Sequence, residues 1–214
     1  MANPSSSILG VLLAGGQSRR MGNGDKCLAS LSGQPLLTHA IERLGPQVAG
    51  LVLNTNGDPQ RFAEFNLPVV PDTVDGFVGP LAGILAGMLW ARQNSPQTRF
   101  VASVATDTPF FPRDLVARLV ASLDELHEVA IVRSRDRNYP VFGLFPVALA
   151  EDLDAFLRDT ENLAVMAWID RQRSAFVAFD TPDDLAFNQF LNINTPEDMS
   201  TAEAAIRSVR LHDS

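Results

Sequence analysis

The chain has 214 residues and a mass of 23.2 kDa, a length that fits one α/β domain better than two full ones. Apolar residues make up 46% and charged residues 20%, ordinary values for a soluble globular protein, and no apolar run reaches the ~18 residues of a membrane span. The formal net charge, 17 − 25 = −8, argues against general binding to nucleic acid or acidic membranes.

Residues 1–7 read as a polar tail and 8–214 as a single domain. The tail lacks the basic and apolar regions of a secretory signal. Ile8–Leu13 is an apolar run ending in Gly15-Gly16 and predicts a buried strand. A polar loop follows, then a helix over Pro35–Leu44, with proline in its first turn and Gly45 as its stop. Val48–Leu53 and Pro68–Val70 read as strands. Pro80–Trp90, apolar almost all round, reads as a buried helix. Phe100–Ala105 is the fourth strand, Pro112–Leu123 an amphipathic helix, and Val129–Val132 and Val141–Phe145 two more strands. Helices near Ala148–Leu157 and Leu163–Trp168 follow, and Thr195-Pro196-Glu197 opens a last one with threonine as cap.

Strands alternating with helices predict an α/β fold, a mostly parallel sheet covered on both faces. Ligands of such sheets bind beyond the carboxyl ends of the strands. Gly15, Asn54, Asp72 and Asp107 each follow a predicted strand, so they should collect on one edge although far apart in sequence.

The segment LAGGQSRRMGNGDK, Leu13 to Lys26, carries the strongest chemical signal. Its four glycines let backbone amides approach an anion. Arg19, Arg20 and Lys26 concentrate positive charge in a chain that is otherwise acidic. The pattern is neither the Walker loop nor the dinucleotide GxGxxG; the bland alternative is a glycine-rich surface turn. Of the 17 basic residues 16 are arginine, and Lys26 is the only lysine. A lone lysine marks a position where a compact ammonium is needed, or else chance survival. Asp107, in VATDTPFF, reads as a Mg²⁺ ligand, which would use one or two carboxylates plus substrate phosphates, or as a turn aspartate; the neighbouring loop favours the metal. Asn54, Asp72, Asn192 and Asn194 are each compatible with ligand contacts or with simple turn chemistry. Cys27 reads as a small buried side chain. One cysteine and three histidines supply neither a disulfide framework nor a zinc cage, and a cytoplasmic location is the default. The run RSRDR, Arg133 to Arg137, reads as an anion patch or a solvated loop.

LAGGQSRRMGNGDK resembles the LAGGxSxRMGxxDK signature of the molybdenum cofactor guanylyltransferases, and GPLAGI at Gly79–Ile84, DTPF at Asp107–Phe110 and NINTPED at Asn192–Asp198 follow in that family's order. The resemblance covers about residues 8–200 and implies a Rossmann-like, three-layer nucleotidyltransferase domain. It implies transfer of GMP from GTP to the terminal phosphate of molybdopterin or its molybdenum form, with Mg²⁺ as cofactor and pyrophosphate as by-product. Carried over by motif, Leu13, Ala14, Gly15 and Gly16 would contact GTP through backbone, and Arg19 and Lys26 would lie at its phosphates. Asn54 and Asp72 would hold the nucleoside, Asp107 would bind Mg²⁺, and Asn192 and Asn194 would lie on the molybdopterin side. Transient contacts with cofactor-biosynthesis proteins and molybdoenzyme chaperones are implied as well. The chain departs from the family pattern at Tyr139-Pro140, where a His-Pro pair is expected. Rival readings are the cytidylyl-transferring relative, which tends to carry LAAG where this chain has Leu13-Ala14-Gly15-Gly16, a sugar-1-phosphate nucleotidyltransferase, and a non-catalytic nucleotide sensor.

Overall fold

A computed structural model of the chain describes residues 7–15, 25–74, 79–159, 164–179 and 188–212. Gly16, Arg19 and Leu163, and all of the expected tail except Ser7, lie outside the described residues.

In chain order the strands are β1 (Ile8–Leu13), β2 (Ser30–Leu31), β3 (Gln34–Pro35), β4 (Gly50–Asn54), β5 (Val69–Val70), β6 (Phe100–Ala105), β7 (Val129–Ser134), β8 (Arg137–Pro146) and β9 (Ser174–Ala178). The helices are α1 (Leu36–Leu44), α2 (Pro80–Asn94), α3 (Leu115–Ala121), α4 (Ala150–Asp159), α5 (Val165–Ile169) and α6 (Pro196–His212). β2 and β3 form a small hairpin, and the other strands form one sheet in the order β5-β4-β1-β6-β8-β7-β9. All neighbours in that sheet run parallel except β8, which is antiparallel to both β6 and β7. The mostly parallel α/β sheet expected from the alternation is therefore present.

Local sequence explains where the elements depart from expectation. The strand expected over Val48–Leu53 is β4 and begins at Gly50, because Gly45–Gln47 closes a 3₁₀ turn first. The RSRDR run spans the end of β7, a two-residue turn and the start of β8, with Arg133, Arg135 and Arg137 all exposed. Ser134 pairs with Arg137, and Arg135 and Asp136 between them have φ of 46° and 48°, the mirror-image turn that matches the twist of two antiparallel strands. β8 is accordingly longer than expected and starts at Arg137. β9 and the β2–β3 hairpin were not anticipated. The helix expected over Pro112–Leu123 shortens to α3.

Side chains alternate across β1. Leu9, Val11 and Leu13 enter the core under α2, α4 and α5, whereas Ile8 and Leu12 enter the core under α1 and α3, so each face of the sheet carries helices. α2 is largely enclosed; Leu81, Ile84, Leu85 and Met88 are all buried. It approaches the sheet through Gly83 and Gly87. A Cβ on Gly87 would lie 2.3 Å from Val11 Cγ2, and one on Gly83 would lie 2.1 Å from Asn54 Oδ1 and 2.6 Å from Leu13 Cδ2. Helix propensity alone favours Gly→Ala by ~1 kcal/mol. At Gly83 the clash dominates, because Asn54 is buried and fixed. Gly83→Ala is therefore expected to destabilise the protein by about 1–3 kcal/mol, read as a lower urea midpoint at unchanged m-value.

Candidate active site

The parallel strands β1, β4, β5 and β6 end together, and their carboxyl ends form the edge on which the candidate residues gather. β1 lies between β4 and β6, with Leu13 in register with Asn54 on one side and Ala105 on the other. Just beyond this register, the Ala14 amide donates to the Asn54 carbonyl (2.9 Å), and the Leu13 carbonyl accepts from the amide and the hydroxyl of Thr106 (3.2 Å each). The start of the glycine loop is thus pinned to both neighbouring strands. The Ala14 amide is taken up by the sheet, whereas Gly15 is exposed.

On the β4–β5 side, Asn54 is buried and its amide donates to Val70 O (3.1 Å) and to Asp72 Oδ1 (2.9 Å). Asn56, which sequence reasoning missed, donates to Asp72 Oδ2 (2.8 Å) and accepts from the Asp72 amide (3.0 Å). Asp72 is therefore gripped from both sides, with one hydrogen bond on each carboxylate oxygen. The spacing of two in Asn54-Thr55-Asn56 was the available signal, since alternate residues of an extended segment share a face.

On the β6 side, the Lys26 ammonium lies 2.5 Å from Asp107 Oδ2 and 2.5 Å from Asn194 Oδ1. The two side chains of the ion pair are 13% and 25% exposed, shielded from bulk solvent yet open to a ligand. Two of the three ammonium N–H groups are taken up by these partners. Lys26 opens a short 3₁₀ turn over Lys26–Leu28 whose next residue, Cys27, is buried; burial, with the Asp25 carboxylate, pushes that thiol up to about 12. Cys27 thus serves as an apolar anchor, as expected.

The C-terminal segment completes the edge. The Ile193 amide donates to the Asp107 carbonyl (2.8 Å) and Ile193 itself is fully buried, which projects Asn192 and Asn194 outward on either side. Asn192 Oδ1 accepts from the Thr108 hydroxyl (2.6 Å). Asn194 is fixed through its own amide, which donates to Asp198 Oδ2 (2.9 Å), while Asp198 and Thr195 cap α6 reciprocally. These bonds, the Asn194 amide foremost and the Thr195 hydroxyl next, hold the Asp198 carboxyl below the usual carboxylate range; the cap therefore stays complete across that range and loosens only as the pH falls below it. Tyr139, standing where His was expected, packs 5.0 Å from the Phe190 ring and accepts a hydrogen bond from Asn188 (3.0 Å). The structure therefore joins Lys26, Asp107 and Asn194 in one contact, Asn54 and Asp72 in another, and links the two through Leu13 and Ala14.

The carboxyl edge of this α/β sheet thus sets the lysine that closes the glycine-rich segment against a single carboxylate, an arrangement suited to the phosphates of a nucleotide. Residues 10–175 match the model of the MobA-like NTP transferase domain. The molybdenum cofactor guanylyltransferase of Mesorhizobium japonicum is 44% identical over 203 residues, covering 94% of this chain and 97% of that one. The molybdenum cofactor guanylyltransferase of Bradyrhizobium sp. strain ORS 278 is 47% identical, with 94% of each chain covered. In three dimensions the fold resembles the molybdopterin-guanine dinucleotide biosynthesis protein A of Archaeoglobus fulgidus, with a TM-score of 0.69 at 22% identity over 94% of this chain and 99% of that one. The chain belongs to the MobA-like nucleotidyltransferases and, among them, to the molybdenum cofactor guanylyltransferase family.

Proposed function

We propose that the protein transfers GMP from GTP to the terminal phosphate of molybdopterin or its molybdenum form. A non-bridging oxygen of that phosphate attacks the α-phosphorus of GTP; the new P–O bond forms as the bond to the β-phosphate oxygen breaks and pyrophosphate leaves. The observation that carries this reading is the Lys26–Asp107–Asn194 contact, which ties the end of the glycine loop to a carboxylate and to the C-terminal segment.

A phosphate monoester has a second pKa of about 6, so the nucleophile is already mostly dianionic at pH 7 and no general base is needed. The obstacle is the approach of one anion to another. Lys26, through its third N–H, and the exposed Gly15 amide meet the triphosphate. Arg19 adds charge from the same loop. Asp72, fixed by Asn54 and Asn56, receives the nucleoside, while Asn192 and Asn194 face the pterin substrate. Among the described residues no three His, Cys, Asp or Glu side chains cluster as a metal cage. The donor set fits Mg²⁺ all the same: Asp107 offers a hard oxygen that already holds a cation, and phosphates supply the remaining oxygens that this ion favours. When bound there, Mg²⁺ supplies charge neutralisation at the phosphates. Cytoplasmic placement accords with a phosphorylated substrate pair, and no helix among the described residues is long and apolar enough to cross a membrane.

The test is pyrophosphate release in the presence of GTP, Mg²⁺ and molybdopterin, with each omitted in turn. Release is expected only with all three; release that ignores molybdopterin, or binding of GTP without any release, points to a hydrolase or a sensor.

The ammonium of Lys26 sits between two oxygens at 2.5 Å, a fit that suits a compact point charge. A guanidinium is planar and wider, and its fork displaces whatever lies beside it. Lys26→Arg is expected to lower kcat/KM for GTP by ~10²-fold, the cost of displacing a reacting group by about 1 Å. Lys26→Ala should lose more. Near-wild-type kinetics for Lys26→Arg would show that charge alone suffices at this position.

A further inference from the structure

Arg61 takes no part in the contacts assigned above, yet it binds both halves of the site together. It lies in the 3₁₀ helix Pro59–Phe65. Its Nη1 donates to Asp25 Oδ2 (2.7 Å), its Nη2 to the Asn56 carbonyl (3.0 Å) and its Nε to the Asp58 carbonyl (3.1 Å). Asp25 immediately precedes Lys26. Asn56 is the residue whose side chain pairs with Asp72 in both directions. The loop between β4 and the 3₁₀ helix is shaped around this guanidinium: Gly57 has φ +95°, and a Cβ there would lie 2.9 Å from Arg61 Nη2. The guanidinium also rests 5.3 Å from the centre of the buried Phe62 ring.

We propose that Arg61 is a positioning residue for the guanylyl transfer: it fixes Asp25, and so the Lys26 end of the glycine loop, at a set distance from the Asn56–Asp72 pair. The phosphate end and the nucleoside end of the site then hold one spacing. The inference rests on the reading of this edge as the GTP site. A planar fork with five donors can join three acceptors at once, which an ammonium cannot do with the same geometry. Arg61 does not serve to supply charge to the substrate, because Asp25 neutralises it. Nor is the pair there mainly for stability: Arg61 and Asp25 are 39% and 22% exposed, and ion pairs in such surroundings contribute little.

The test compares wild type with Arg61→Gln, Arg61→Lys, Asp25→Asn and the double variant Arg61→Gln/Asp25→Asn, reading kcat and KM for each substrate and the melting temperature. Arg61→Gln is expected to lower kcat/KM for GTP by at least about tenfold, within the ~10²-fold cost of a 1 Å misplacement. KM for molybdopterin should change less than twofold. Arg61→Lys should fail to restore the loss, and the double variant should be no worse than Arg61→Gln alone, as for two residues acting through one contact. The melting temperature should move by less than about 4 °C. Wild-type kinetics in Arg61→Gln, full rescue by Arg61→Lys, or multiplied losses in the double variant would each overturn the inference while leaving the GTP site standing. Absence of GTP turnover in the wild type would overturn the reading of the site and this inference with it.

Discussion

Replacing GTP by ATP is expected to lower kcat/KM by about 10⁴-fold or more, as happens when a site built on fixed polar partners meets an analogue that cannot pair with them. Guanine presents an N1–H and an N2–H₂ group along one edge, and so calls for acceptors. Asp72 is an acceptor whose orientation is set before any ligand arrives: Asn54 and Asn56 each hold one of its carboxylate oxygens, and Asn56 also accepts from its backbone amide. A carboxylate has about four lone-pair positions, so two such bonds leave it able to accept from a ligand. On the proposed reading, with the guanine edge at Asp72, adenine would offer an acceptor at N1 where guanine offers a donor, and lone pair would meet lone pair. Steady-state kinetics with both nucleotides decide the matter, and comparable turnover with ATP would return the sugar-1-phosphate nucleotidyltransferase reading to contention.

Asp107→Asn is expected to lower kcat/KM for GTP by ~10³-fold, the upper range for removing one preorganised charge partner from a reaction that develops charge. The substitution conserves shape. Asp107 joins the C-terminal segment through its carbonyl, which accepts from Ile193, and that bond survives. The loss of the ion pair with Lys26 costs ~0–1 kcal/mol of stability, as for pairs partly open to solvent, so circular dichroism should be unchanged. What disappears is the anionic oxygen that can anchor a divalent ion. Raising Mg²⁺ should recover little of the activity; substantial turnover by Asp107→Asn at low Mg²⁺ would remove Asp107 from the metal role.

The central sheet was legible because its signals are local. Ile8–Leu13 and Phe100–Ala105 are continuous apolar runs of the kind that parallel strands require, and the structure reproduces both boundaries. α2 was legible from its all-round apolarity. β9 was not, because a short strand on the sheet edge, with Phe176 41% exposed, has no strong period to mark it. The β2–β3 hairpin carried its signal in Ser32-Gly33, a pair with φ of 52° and 88°, but two-residue strands leave no pattern on either side.

In the candidate site, residues that end a strand or close a motif stand out in the sequence, among them Lys26, Asp72 and Asp107, and the structure gathers them on one sheet edge. Most of those that act only by holding another residue in place do not. Asn56, Arg61, Thr108 and Asp198 matter through partners that lie 16, 36, 84 and 4 residues away respectively. Arg61 in particular looks, in sequence, like one more arginine on a polar turn, and only the packing of that turn against Asp25 gives it a role.

The most direct measurement follows the α-phosphorus of GTP. With α-labelled GTP, Mg²⁺ and molybdopterin, the label should appear in a guanine dinucleotide of the pterin, with one pyrophosphate released per label transferred. Label recovered as free GMP, or transferred equally well from CTP, would contradict guanylyl transfer at this site.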